Sequence, residues 1–160
     1  MSRATLSAGP TCPESEMIVI GCILQDPSAY DLAASMLTAD DFFDYKHQRI
    51  FDAATRVKNN GLDPLLTTVT KQLRDEAQLE EIGSHAYLCS LVERTPTTAL
   101  LSYHVRQIRE AACVRAVATA CEQIAVIARA RGPWRPLFDR LVVTIQRYGV
   151  RPTDSNVFPL

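Results

Sequence analysis

Residues 97–133 read TTALLSYHVRQIREAACVRAVATACEQIAVIARARGP, and this stretch decides the fold. Between Thr97 and Arg131 no glycine or proline interrupts a helix. Apolar side chains recur at Leu101, Val105, Ile108, Ala112, Val117, Cys121, Ile124 and Ala128, in steps of three to five residues. Those steps lay a stripe along one long helix, ~50 Å from end to end at ~1.5 Å per residue. Gly132-Pro133 breaks it. Trp134, Leu137 or Phe138, Leu141, Ile145 and Tyr148 then carry a second stripe, so the two helices are expected to fold back as an antiparallel hairpin.

A hairpin of this length cannot bury both sides of its apolar surface within one small chain. Ala111, Ala112, Ala116, Ala118, Ala120 and Ala125 are small enough for another helix to approach closely. Two such hairpins would complete a four-helix bundle across a symmetric dimer. The expected self-association interface is Leu101, Val105, Ile108, Ala112, Val117, Cys121, Ile124, Leu137, Leu141 and Ile145. The competing expectation is that the hairpin packs wholly onto its own chain.

Upstream, the pattern is a series of shorter helices. Residues 1–12 mix Ser, Thr, Gly and Pro without periodicity and read as a disordered arm. Met17, Ile20, Ile23 and Leu24 recur at helical spacing until Asp26-Pro27 stops the helix. Ser28 is expected to cap a second helix through Leu37, and Lys46 to Asn60 a longer one, ended by Gly61 in a left-handed cap. Thr67 or Thr68 caps the next, with Val69, Leu73 and Ala77 inward, and Ala86, Leu88, Leu91 and Val92 mark one more. No strand pattern of convincing length occurs. The chain is expected to be all-α, with a compact head at 13–96, the hairpin at 97–149 and a flexible tail at 150–160.

Length and composition allow one globular unit with an appendage. No run approaches ~18 consecutive apolar residues, and the first dozen lack the apolar core of a secretory signal, which points to the cytoplasm. Five cysteines, an odd number with no Cys-x-x-Cys pair, fit reduced thiols. Those in helical runs, Cys22, Cys89, Cys113 and Cys121, read as small hydrophobes. The net charge of −1 conceals a division: residues 1–100 carry 8 Lys/Arg against 14 Asp/Glu, while 101–151 carry 9 Arg against Glu110, Glu122 and Asp139. The basic third could face phosphates, with Arg106, Arg109 and Arg115 as contacts, or the acidic head of a neighbouring copy. A basic-hairpin nucleic-acid binder is thus the alternative class, weakened by the lack of aromatic residues interleaved with the arginines.

Catalytic chemistry is not apparent. The phosphate-cradling pattern Gly-x-x-x-x-Gly-Lys-Ser/Thr does not occur, since neither Lys46, Lys58 nor Lys71 follows a glycine. Asp40, Asp41, Asp44 and His47 are the densest set of potential metal ligands, but no second histidine is near in sequence. The reading adopted is structural, with Asp40 or Asp41 capping a helix and His47 partly buried. No enzyme activity, cofactor or metal is expected.

The ordered series Glu14-Ser15-Glu16, Asp41-Phe42-Phe43, His47-Gln48-Arg49-Ile50-Phe51, Leu79-Glu80-Glu81-Ile82-Gly83, Ala86-Tyr87-Leu88 and Thr95-Pro96 resembles the N-terminal domain of DnaB-type replicative DNA helicases. The resemblance covers roughly residues 13–131 and includes Ile108-Arg109-Glu110 and Val114-Arg115. It departs at Ser15 and Ser84, where the family usually has Ala and Gly, and in a shorter turn after Pro96. The resemblance implies an all-helical head and hairpin, copies that pair through hairpins into a collar above the motor, and docking of primase, loader or helicase. With no motor motif in the chain, two expectations stand, a domain cut from a helicase or a free-standing relative that binds a helicase or primase and modulates replication, and the Arg151-Pro152-Thr153-Asp154-Ser155 run, unlike the family's helical linker, favours the second.

Overall fold

The structure is a computed structural model that describes residues 9–95, 97–130, 133 and 135–148, apart from the side chain of Leu137. Most of the expected arm, the tail, and Pro96, Gly132 and Trp134 lie outside the described residues. Seven α-helices and one short 3-10 turn make up the described chain, without a strand. The helices are α1 (Pro13–Ile23), α2 (Pro27–Ala34), α3 (Tyr45–Asn59), α4 (Leu66–Asp75), α5 (Ser84–Glu93), α6 (Leu101–Arg129) and α7 (Arg135–Arg147), with the 3-10 turn at Ala39–Asp41.

Local chemistry sets the boundaries. Proline opens both α1 and α2, where its missing N–H costs nothing. The cap of α2 is Asp26, whose carboxylate accepts from the Ser28 amide at 2.9 Å and the Ser28 hydroxyl at 2.7 Å. Ser28 is therefore a donor to the cap and not the cap itself, because Pro27 already occupies the first helical position. Asp44 caps α3 by accepting from the Lys46 amide at 2.8 Å. The helix ends before Gly61, which adopts a left-handed φ of 77° as expected. Thr68 reaches back to accept from the Leu65 amide at 2.9 Å, closing the start of α4. Ala77 is not inward: it is exposed with φ 56°, because the chain turns left-handed immediately after α4.

The chain divides into two compact units, residues 11–111 and residues 112–160 with the first ten. In the first, α1 packs against α2, α3 and α5, and α3 against α4. Its core holds Val19, Ile20, Ile23, Phe42, Ile50, Leu73, Ile82 and Leu88, and the ring of Phe51 stacks at a tilt against Phe42 and Tyr30, 5.1 and 5.8 Å between centroids. Leu101, Val105 and Ile108, from the first turns of α6, belong to this same core. The second unit holds the C-terminal part of α6 and all of α7, and Arg140 Nη1 on α7 donates to Gln123 Oε1 on α6 at 3.2 Å.

Candidate functional site

The densest polar cluster of the head is built around Glu16. This residue lies on the inward face of α1, 1% exposed, and both carboxylate oxygens are occupied. Oε1 accepts from the Phe43 amide at 2.7 Å, and Oε2 accepts from the Asp44 amide at 3.1 Å. His47 Nδ1, on a ring only 2% exposed, stands 2.9 Å from Oε2. The second ring nitrogen, Nε2, lies 3.0 Å from the Tyr87 hydroxyl on α5. The carboxylate thus receives the two backbone amides that lead into α3 and the His47 ring N–H from its first turn. Burial, and after it the nearby Asp44, push the Tyr87 phenol up. The Lys46 ammonium sits 5.0 Å from the Tyr87 ring centroid.

This arrangement tests the metal reading directly. Asp41 is turned away to accept from the Thr38 amide at 2.7 Å, Asp44 caps α3, and His47 is fully rather than partly buried, held by Glu16 and Tyr87. Among the described residues no group of three or more His, Cys, Asp or Glu is placed to hold a metal ion. Glu16 borders a cleft of about 420 Å³ with Thr11, Pro13, Phe43, Asp44 and Tyr45, and its bonds to the Phe43 and Asp44 amides and to His47 tie α1 to the start of α3. Phe43 and Tyr45, 48% and 42% exposed, present aromatic surface at its rim. The Glu16 pairing escaped sequence reasoning, although Glu16 and His47 both stood in quoted motifs.

The residues expected to form a self-association interface fall into two groups. Leu101, Val105 and Ile108 are covered by the head core, and Ala112 is buried as well. Farther along, Val117, Ile124, Leu141 and Ile145 are half-buried, and Cys121 is exposed. The side chain of Leu137 lies outside the described residues. Large apolar side chains stand in the open on the same two helices: Val114, Val126, Phe138 and Val143, with Val126 at 61% and Val143 at 62% exposure. An 18-residue window of α6 has a mean hydropathy of 1.5 with at most two charged residues, yet only 17% of it is buried. By length and composition that helix could cross a membrane, which a count of uninterrupted apolar residues overlooks because isolated charges divide the run.

The arginines expected to meet phosphates are placed differently from one another. Arg106 is exposed. Arg109 donates to the Met36 carbonyl, and Arg115 Nη1 donates to the Pro10 carbonyl at 2.9 Å. Two of the three thus serve the fold of their own chain.

Comparison with known proteins places this architecture. The family model described as DnaB-like helicase N terminal domain matches residues 9–110. The chain belongs to the DnaB-like helicase N-terminal domain family. Among DnaB relatives, the replicative DNA helicase DnaB of Geobacillus stearothermophilus is 37% identical over 116 residues, 72% of this chain but 26% of that protein. The replicative helicase DnaB of Rhodothermus marinus is 41% identical over 103 residues, 63% of this chain and 11% of that protein. The chain therefore spans about a quarter or less of the length of these helicases. The crystal structure of the N-terminal domain of DnaB helicase from Mycobacterium tuberculosis superposes with a TM-score of 0.78 at 26% identity, covering 88% of this chain and 99% of that one. The matched region is the N-terminal domain of these replicative helicases.

Proposed function

We propose that this chain is a non-catalytic assembly and docking domain that pairs with a second copy through α6 and α7 and offers its head to the replication machinery. The observation that carries this reading is the open apolar surface of the hairpin, where only 17% of the most apolar window of α6 is buried. Surface of that kind on a soluble fold is covered by a partner, and a second copy supplies the same stripe in self-complementary form. Val117, Ile124, Leu141 and Ile145 form the seam, extended by the exposed Val114 and Phe138, three residues before Val117 and Leu141 and so on the same faces. Leu101, Val105 and Ile108 are excluded from it, since the head core already covers them. Primase, a loader or a full helicase is the partner class, in line with the family, and the aromatic rim at Phe43 and Tyr45 is the part of the acidic head suited to bind it.

Light scattering over a range of protein concentrations tests the pairing. The expected outcome is a dimer or higher assembly that a Val114→Glu/Phe138→Glu variant converts to a folded monomer. A wild-type chain that stays monomeric at every concentration overturns it. Retention of primase or helicase on the immobilised chain tests docking, and its loss with Phe43→Ala would place the contact at the rim.

A further inference from the structure

Away from the Glu16 cluster, one more group of side chains is arranged for chemistry. His85 and Cys89 are four residues apart on α5 and so share a face. Cys89 Sγ lies 3.3 Å from His85 Nε2, and His85 Nδ1 lies 3.3 Å from Thr70 Oγ1 on α4. The Thr70 hydroxyl also stands 2.6 Å from the Leu66 carbonyl oxygen, which can only accept. A hydroxyl has one hydrogen, and here it is committed to Leu66. Thr70 therefore accepts from His85, which puts the imidazole proton on Nδ1 and leaves the Nε2 lone pair facing the Cys89 thiol. Thr70 is buried and fixed in its helix, whereas His85 is exposed and Cys89 half-exposed, so reagents in solution can reach the sulfur.

We propose that Cys89 is a thiol-modification site, with His85 as its base and Thr70 holding that base in the productive tautomer, and that it exchanges with low-molecular-weight disulfides. Nucleophile, base and a third orienting group in hydrogen-bond sequence are the arrangement by which proteins activate a thiol. The Cys89 proton passes to His85 Nε2, and the sulfur attacks one sulfur of the disulfide. A bond forms between Cys89 and that sulfur while the original S–S bond breaks, and the departing thiolate takes the proton from His85. Cys89 is oxidised to a mixed disulfide and half of the reagent is reduced to a thiol, so the exchange needs no further oxidant.

Cys22 and Cys121 are placed differently. Cys22 is fully buried, and burial followed by the charge of Asp26 pushes its thiol up to about 11. Of the two other histidines in the chain, His47 is engaged by Glu16 and Tyr87, and His104 Nδ1 lies 3.1 Å from Ser15 Oγ. Cys121 is exposed in the single chain; because it lies between Val117 and Ile124 on the proposed seam, it serves as the internal reference in the background of the monomerising Ile124→Asp substitution, which all the proteins compared below carry.

The experiment treats the intact protein with glutathione disulfide at neutral pH and follows occupancy of Cys89 and Cys121 by peptide mass spectrometry. Cys89 is expected to react at least about tenfold faster than Cys121, the lower range of what a positioned base contributes. His85→Ala should bring Cys89 down to the rate of Cys121, and Thr70→Val should slow it severalfold with Cys121 unchanged. His85 is exposed, so its removal leaves the fold intact, and circular dichroism verifies this. Equal rates at the two cysteines with His85 and Thr70 in place, or a Cys89 rate indifferent to His85→Ala, would overturn the proposal.

Discussion

Gly21 on α1 meets Thr95 beyond the end of α5 with no room for a side chain between them. A β-carbon on Gly21 would overlap Thr95 Oγ1 and stand 2.5 Å from the Leu91 carbonyl oxygen. The neighbourhood is tied further by Gln25 Nε2, which donates to the Gly21 and Thr95 carbonyls at 3.0 Å each. Gly21→Ala is therefore expected to destabilise the head by about 2–3 kcal/mol, the upper part of the usual overpacking range. A urea titration of the variant measures this. Adding Thr95→Ala should recover only part of the loss, since the Leu91 carbonyl is backbone and cannot withdraw.

Removing one member of the Glu16 cluster strands the others. Glu16→Gln keeps the shape but replaces one acceptor oxygen by a donor facing N–H groups, and a loss of about 3 kcal/mol is expected. Tyr87→Phe removes a single partner of His47 and should cost about 1 kcal/mol. Chemical denaturation of both variants checks the ratio; equal costs would mean the carboxylate is not the centre of the cluster.

Alkaline pH should weaken the fold through two groups. The Cys22 thiol rises from 9.0 to about 11 and the Tyr87 phenol is also raised, so both hold their protons more tightly folded than unfolded. The Cys22 contribution is complete below pH 9 and is lost as pH climbs from about 9 through about 11, and the Tyr87 contribution is lost as pH rises above 10.0. Thermal melts across that window should show falling stability, with a shallower slope in Cys22→Ala. At the acid end, hydrogen bonds from the Ser28 side chain and then its amide hold the Asp26 carboxyl below its ordinary value of 3.8. That contribution is present above this value and disappears as pH falls below it.

The two ends of α6 predict opposite phenotypes. Ile108→Asp places an unpaired charge in the head core and should unfold it, at a cost of more than about 4 kcal/mol. Ile124→Asp should retain full helicity and alter only the solution mass. Circular dichroism beside light scattering separates the two outcomes.

Much of this architecture is legible in the residues themselves. Asp26-Pro27 and Gly61 mark helix ends through local rules that the structure follows, whereas α2 stops at Ala34, short of Leu37, and α6 begins at Leu101 instead of Thr97. Ala77 does not follow, because a left-handed turn was required where the residue type suggested a continuing helix face. The meeting of Glu16 with His47 spans 31 residues, and nothing local signals it. The stripe of α6 reads as uniform, yet its first turns are covered by the head and its later ones lie open, a distinction that only tertiary packing creates.

Because α6 gives Leu101, Val105 and Ile108 to the core of one unit and continues into the other, the two are not interchangeable modules. A recombination event joining this head to a different hairpin between residues 97 and 111 would leave three holes in its interior. Head and hairpin are thus bound to be inherited together, and a natural chimera is expected to cross over after Ala111 or not at all.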